Sequence, residues 1–103
     1  MPILGPRIPF LNTNIAQVSA SAGVYALWDH DEIIFYGWSD DTPGLRARLQ
    51  AHKKGACTKG ASGFQVQLLG GRSEPETRRA ALLREFLRER GALPRCNAPT
   101  DSH

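Results

Sequence analysis

Two short apolar runs separated by a polar turn constrain the fold of this 103-residue chain more than any other feature. The runs at 24–28 and 33–36 have the β-branched and aromatic composition of strands. Between them lies the polar sequence Asp-His-Asp-Glu, and Gly37 ends the second run. This spacing predicts an antiparallel β-hairpin.

A helix is predicted from Leu45 to Lys54, ended by Gly55. At 100° per residue, Leu45 and Leu49 form its apolar stripe. His52 lies about 20° from Leu45 on this helix, and Arg48 lies about 60° from it. Because unpaired polar groups are costly to bury, an arginine and a histidine beside the inward stripe indicate a site.

The remaining elements complete a small domain. Residues 64–69 alternate apolar with polar side chains, which predicts a third strand. The last helix begins near Ser73, which fits a capping box with Glu76, and stops at Gly91. Its predicted core stripe is Ala80, Leu83, Phe86 and Leu87. The order β-β-α-β-α predicts an α+β fold with a three-stranded antiparallel sheet flanked by helices.

The chain divides into three predicted segments. Residues 1–22, broken by three prolines, form a lead-in, 23–97 form the domain, and 98–103 form a flexible tail. No apolar run approaches the ~20 residues of a transmembrane helix, and the N-terminus is a poor secretion signal. We therefore expect a cytoplasmic protein that does not contact a membrane.

Basic residues give the chain a net charge of +3. They cluster at 46–59 and again at 72–95, and such clusters could neutralise several phosphates of a nucleic acid. The candidates for these contacts are Arg46, Lys53, Lys54, Lys59 and Arg95. A solvated charged surface is the alternative interpretation of the same pattern.

The two cysteines, Cys57 and Cys96, form no CxxC pair and match no zinc-ligand spacing. In a reducing compartment a disulfide between them is not expected. We interpret both as small packing residues.

Four short motifs, in order and at workable spacing, resemble the GIY-YIG endonuclease family. Gly23-Val24-Tyr25 resembles the GIY element, and Phe35-Tyr36-Gly37 occupies the place of YIG. Arg48 and His52 resemble the helix-borne Arg and His of the family. Glu85 and Asn97, twelve residues apart, resemble its closing segment. That segment is most similar to the N-terminal nuclease domain of the incision subunit of bacterial nucleotide excision repair.

The resemblance implies phosphodiester hydrolysis with Mg²⁺ or Mn²⁺. It implies that Arg48 binds phosphoryl oxygens, that Glu85 binds the metal ion, and that Asn97 orients a ligand or the backbone. It also implies that Tyr25 orients or deprotonates the attacking water, supported by His52. A tyrosine needs nearby positive charge to act as a base, because its ordinary pKa is about 10.

Two positions depart from the family pattern. Phe35 stands where the first Tyr of YIG is found, so one hydroxyl is missing. Tyr36 could supply it only through a bulge or a shifted register, because neighbouring strand residues point to opposite faces. Trp38 stands where some relatives carry Lys. If that Lys helps to activate the nucleophile, Lys53, Lys54 or Lys59 would have to do so in this chain. The identity of the general base is therefore open.

Three functions remain in view. The first is a metal-dependent endonuclease acting on DNA rather than RNA, alone or beside a targeting protein, with weak sequence preference. The second is a non-catalytic nucleic-acid-binding module of the same fold, which Phe35 favours. The third is an adaptor that docks a protein through Arg78, Arg84 and Arg88 of the last helix.

Overall fold

The computed structural model describes residues 3, 5–70 and 74–97. In chain order the elements are β1 (Ile8–Pro9), α1 (Asn12–Ile15), β2 (Gly23–Asp29), β3 (Glu32–Ser39), α2 (Leu45–His52), β4 (Gly63–Leu68) and α3 (Glu74–Arg90), followed by a 3-10 turn (Arg95–Asn97). The predicted α+β class and the predicted hairpin are both confirmed. Two expectations, the Ser73 cap and the 98–103 tail, lie outside the described residues.

The sheet has four antiparallel strands in the order β1-β4-β2-β3, so the prediction of three strands was wrong. The additional strand, β1, pairs Ile8 with Phe64 and Pro9 with Gly63. A strand of two residues is too short to show alternation in the sequence. Its proline is tolerated because β1 lies at the edge of the sheet.

A β-bulge in the hairpin decides which side chains of β3 share a face. Leu27 pairs with Phe35, but the next pair is Trp28 with Ile33, so Ile34 is the extra residue. Since Tyr25 pairs with Gly37, Tyr25 and Phe35 lie on the same face of the sheet. Tyr36 packs in the core on the opposite face.

Each face of the sheet has its own apolar core. The core on the Tyr25 face contains Phe10, Ile15, Val18, Tyr25, Leu27, Ile34, Leu45, Leu49, Phe64 and Cys96. Three of these residues, Phe10, Ile15 and Val18, belong to the predicted lead-in, which therefore packs against the sheet. The core on the other face contains Ile3, Val24, Ala26, Ile33, Tyr36 and Leu82.

Helix α3 buries a different stripe from the predicted one. Leu82 is 1% exposed and is the centre of the buried face, whereas Leu87 is 45% exposed. Leu83 and Phe86 are partly buried against the core, and Ala80 is exposed. The stripe is thus rotated by about 100° from Leu83 to Leu82. No helix in the described ranges is long and apolar enough to cross a membrane.

Cys57 and Cys96 form a disulfide, so the prediction of two unpaired packing residues was wrong. Their Cα atoms are 5.7 Å apart although 39 positions separate them in the chain. The bond joins the loop after α2 to the 3-10 turn. Only the fold brings these segments together, and no local spacing could have indicated the pair. Disulfides persist chiefly in oxidising environments, so this bond does not support the predicted cytoplasmic location. That location stays a prediction from the sequence.

Candidate active site

Tyr25 lies at the centre of the candidate site, on the central strand β2 and 2% exposed. Its ring lies directly across Gly37 of β3. A Cβ atom at Gly37 would stand 2.3 Å from Cζ of Tyr25, which is closer than any real contact. Glycine at this position is therefore what allows the tyrosine ring to lie flat against the neighbouring strand.

A chain of hydrogen bonds leads from Tyr25 to the loop after α2. The hydroxyl of Tyr25 is 2.7 Å from Nε2 of His52. Nδ1 of His52 is 3.0 Å from Oγ1 of Thr58, a buried residue. Thr58 donates its single hydroxyl proton to the backbone carbonyl of His52, 2.9 Å away.

These contacts define the tautomer of neutral His52. Because the proton of Thr58 is used on the carbonyl, Oγ1 of Thr58 can only accept from Nδ1 of His52. Nε2 then carries a free lone pair and accepts the proton of the Tyr25 hydroxyl. The imidazole is thus oriented as an acceptor toward the site.

Burial lowers the pKa of His52 to about 4, and the charge of Arg48 adds to the effect. His52 is therefore neutral at physiological pH. Burial also raises the pKa of Tyr25 above its ordinary value, and the opposing charges of Arg48 and Arg79 do not compensate. The condition for Tyr25 to act as a free tyrosinate is therefore not met.

A cavity of about 280 Å³ opens beside this hydrogen-bond chain. It is lined by Tyr25, Phe35, Gly37, Trp38, Arg48, Ala51, His52 and Arg79. Among the described residues, neither Arg48 nor Arg79 forms an ion pair with a carboxylate. Two unneutralised guanidinium groups beside aromatic rings favour an anionic ligand.

Phe35 and Tyr36 have different environments. The ring of Phe35 lines the cavity and lies 4.6 Å from the imidazole of His52, centroid to centroid. Tyr36 packs against Phe86 on the other face of the sheet, 6.2 Å between ring centroids. The bulge at Ile34 precedes Phe35 and leaves this alternation unchanged. Tyr36 thus cannot replace the missing hydroxyl in the cavity.

Asn97 binds the backbone of the edge strand β3. Its Oδ1 accepts from the N–H of Tyr36 at 2.8 Å, and its Nδ2 donates to the carbonyl of Tyr36 at 3.1 Å. The side chain thereby satisfies backbone groups that an edge strand would leave open. The resemblance implied that Asn97 orients either a ligand or the backbone, and its side chain contacts the backbone of Tyr36.

Glu85 is not brought into the cavity with Tyr25, Arg48 and His52. It lies on α3, six residues after Arg79, which places the two side chains about 120° apart around the helix. Arg79 lines the cavity, and Glu85 lies on the other flank of Leu82. The charge of Glu85 instead contributes to raising the pKa of Tyr36, secondary to burial.

Glu85 is the carboxylate that the resemblance assigns to a divalent ion. The described residues include no group of three or more His, Cys, Asp or Glu that could surround a metal ion. Mg²⁺ usually keeps several waters and is bound through one or two carboxylates and substrate phosphates. Glu85 supplies one such carboxylate, outside the cavity. The ionisable lining of the cavity itself suits an anion and not a cation.

Three of the five candidate phosphate contacts are engaged within the protein. Arg46 donates to the carbonyl of Val18, and Lys53 donates to that of Phe10. Arg95 forms ion pairs with Asp29 at 2.8 Å and Glu32 at 3.1 Å. Lys54 and Lys59 are exposed at the surface.

A larger groove, of about 670 Å³, lies elsewhere on the surface. Asp40 and Asp41 line it, and Asp41 accepts a hydrogen bond from the backbone N–H of Ala22 at 3.0 Å. It contains no hydrogen-bonded pair comparable to Tyr25 and His52. The smaller cavity is therefore the candidate active site.

Sequence reasoning missed two residues of the site, Thr58 and Arg79. Thr58 stands in a loop of small and basic residues, where nothing distinguishes it from its neighbours. On a helical wheel Arg79 lies about 40° from Leu83 and about 60° from Leu82, so it stands beside the predicted stripe as well as the observed one. The wheel therefore offered a signal for Arg79, but the resemblance drew attention to Glu85 instead.

Neither a protein-family model nor a curated protein matches the chain.

The depressed pKa of His52 predicts acid-sensitive stability. In the unfolded chain a histidine titrates near 6.5, and in the folded protein His52 titrates near 4. Between these values the unfolded state binds the extra proton, so the free energy of unfolding falls as pH drops from about 6.5 to 4. Denaturant unfolding at several pH values measures this slope. His52→Gln is expected to flatten it, and an unchanged slope in that variant would contradict the assignment.

Proposed function

We propose that the chain is an endonuclease that hydrolyses phosphodiester bonds, in DNA rather than RNA. The observation that carries the proposal is the hydrogen bond from Tyr25 to the neutral His52 at the wall of a cavity that contains unneutralised arginines. A phosphodiester is anionic, and its hydrolysis needs a proton acceptor next to an anion site. The resemblance of the four motifs to GIY-YIG nucleases supports the same conclusion.

The proposed reaction uses Tyr25 and His52 as a relay. A water molecule attacks phosphorus while its proton passes to the oxygen of Tyr25, whose own proton passes to Nε2 of His52. The bond from phosphorus to the leaving oxygen breaks in the same displacement, the leaving oxygen takes a proton from solvent, and His52 later returns its proton to solvent. Because one proton enters the tyrosine as another leaves, no tyrosinate forms, which is compatible with its raised pKa.

Arg48 and Thr58 support this relay in different ways. Arg48 offers a planar donor fork to the non-bridging oxygens of the phosphate. Thr58 holds Nδ1 of His52 protonated and so keeps Nε2 free to accept. The disulfide at Cys57 restrains the loop that carries Thr58.

The proposal includes a divalent ion, Mg²⁺ or Mn²⁺, which the carboxylate of Glu85 would hold. Such an ion would supply Lewis-acid stabilisation of developing negative charge.

A non-catalytic nucleic-acid-binding module is the second candidate. It is favoured by the phenyl ring of Phe35, which occupies the wall next to His52, and by the position of Glu85 away from the cavity lining. Such a module would bind DNA with salt-sensitive affinity and would not cleave it.

The deciding experiment is cleavage of supercoiled plasmid and of a branched duplex by the purified chain, with Mg²⁺, Mn²⁺ or EDTA. Nicking by the wild type is expected only with a divalent ion, and Glu85→Ala should abolish it. Glu89→Ala, which removes an exposed carboxylate one turn further along α3, is the matched control and should retain nicking.

Each other result has a definite meaning. Nicking that persists in EDTA and in Glu85→Ala would remove the metal ion from the proposal and leave the relay. If the wild type cleaves neither substrate yet binds DNA more weakly as salt rises, the binding module replaces the endonuclease.

A further inference from the structure

Arg79 has the environment of a ligand-binding residue, and none of the described residues pairs with it. It lies in the first half of α3, half-buried, and lines the cavity beside Tyr25 and Arg48. Its Nε atom is shielded from solvent and has no hydrogen-bond partner within the part of the chain that the structure describes. Leaving a buried donor of a charged group unsatisfied is costly, so such a group is normally found where a ligand completes it.

The surroundings of Arg79 specify the charge of that ligand. Arg48 is the other cation of the cavity, and no described carboxylate pairs with either arginine. Both charges also act on Tyr25, where they lower the pKa that burial raises. His52 is neutral and adds no charge. The lining therefore carries two positive charges that no carboxylate in residues 5–70 and 74–97 balances.

We infer that Arg79 and Arg48 together bind one phosphoryl group, with Arg79 donating from its unsatisfied Nε. A planar guanidinium fork can hold two oxygens of a phosphate, and a phosphoryl group has enough oxygens for two such forks. A cavity of about 280 Å³ has room for one phosphoryl group with part of the attached nucleoside.

The second arginine also fits the reaction, and this step rests on the proposed function. A phosphodiester carries one negative charge, and attack by water builds a second one on the same oxygens. Two guanidinium groups therefore match the transition state better than the bound substrate. Loss of Arg79 should lower kcat more than it changes KM.

The first test measures phosphate binding and does not require cleavage. Inorganic phosphate is titrated into the full chain at constant ionic strength, with chloride as the balancing anion, while the arginine Nε–H signals are followed by NMR. The signals of Arg79 and Arg48 should shift in the wild type. Arg79→Gln should weaken phosphate binding at least about tenfold, since it loses a charge-assisted donor pair.

Arg84→Gln is the matched control, because it removes the same charge from an exposed position of the same helix. Its phosphate affinity should equal that of the wild type. Arg79→Lys keeps the charge but loses the planar fork, and it should bind phosphate nearly as weakly as Arg79→Gln. Thermal melting of all three variants establishes that they are folded.

The second test applies if the chain cleaves DNA. Arg79→Gln should then lower kcat by about 10²-fold with little change in KM. Equal phosphate affinities for Arg79→Gln and Arg84→Gln would overturn the inference, whether or not the wild type is a nuclease. Conversely, a wild type that binds phosphate through Arg79 but never cleaves would leave the inference standing and refute the proposed function.

Discussion

Tyr25→Phe is expected to reduce the cleavage rate by about 10²–10⁴-fold while the domain stays folded. The substitution removes the hydroxyl that lies 2.7 Å from Nε2 of His52, so the attacking water has no route for its proton. The ring is kept, and with it the packing across Gly37 and in the core. The loss of one hydrogen bond should lower the free energy of unfolding by only about 1 kcal/mol. Single-turnover cleavage and denaturant unfolding measure the two effects separately.

Tyr36→Phe is the matched control for this experiment. It removes the same hydroxyl from a tyrosine on the opposite face of the sheet, next to Phe86. Its cleavage rate should equal that of the wild type. If the two variants lost activity equally, or if Tyr25→Phe cleaved normally, the relay through His52 would be excluded.

Removing the disulfide is expected to lower the free energy of unfolding by about 4 kcal/mol, according to the chain-entropy model for a loop of this length. The bond closes a separation of 39 residues, and opening it enlarges the set of conformations of the unfolded chain. The double variant Cys57→Ala, Cys96→Ala tests this by denaturant unfolding. The bond also restrains the loop next to Thr58, which contacts His52. The double variant should therefore cleave DNA more slowly as well as unfold more easily.

A dithiol reductant provides the control for the cysteine variant. It should lower the unfolding midpoint of the wild type toward that of the double variant, and it should not affect the double variant. Identical midpoints for the wild type, the reduced wild type and the double variant would show that the bond adds nothing to stability.

The sequence determined the elements that depend on local periodicity. The two apolar runs and their polar turn were enough for the hairpin, because a strand pair joined by a short turn needs no distant information. The 3.6-residue repeat of α2 likewise indicated that His52 lies next to the inward stripe, and His52 does contact Tyr25. These features could be predicted because the periodicity of a strand or helix is set by neighbouring residues, whereas the contact of His52 with Tyr25, 27 positions away, followed from the fold.

Only the tertiary structure decided the features that depend on contacts between distant segments. The strand at Ile8–Pro9 exists because β4 offers it an edge, and the disulfide exists because the fold brings Cys57 next to Cys96. On α3, Leu82 and not Leu83 is buried, since the position of the sheet determines which face of a helix is covered.

The packing of α3 also determined the composition of the site. Arg79 and Glu85 lie on the two flanks of Leu82, each about 60° from it, and only Arg79 lines the cavity, although the motif spacing had indicated Glu85. A spacing of residues in a sequence defines which side chains share a helix. Which of those side chains point toward a cavity depends on how the helix packs. That packing is set by the apolar contacts of the whole helix face with the sheet.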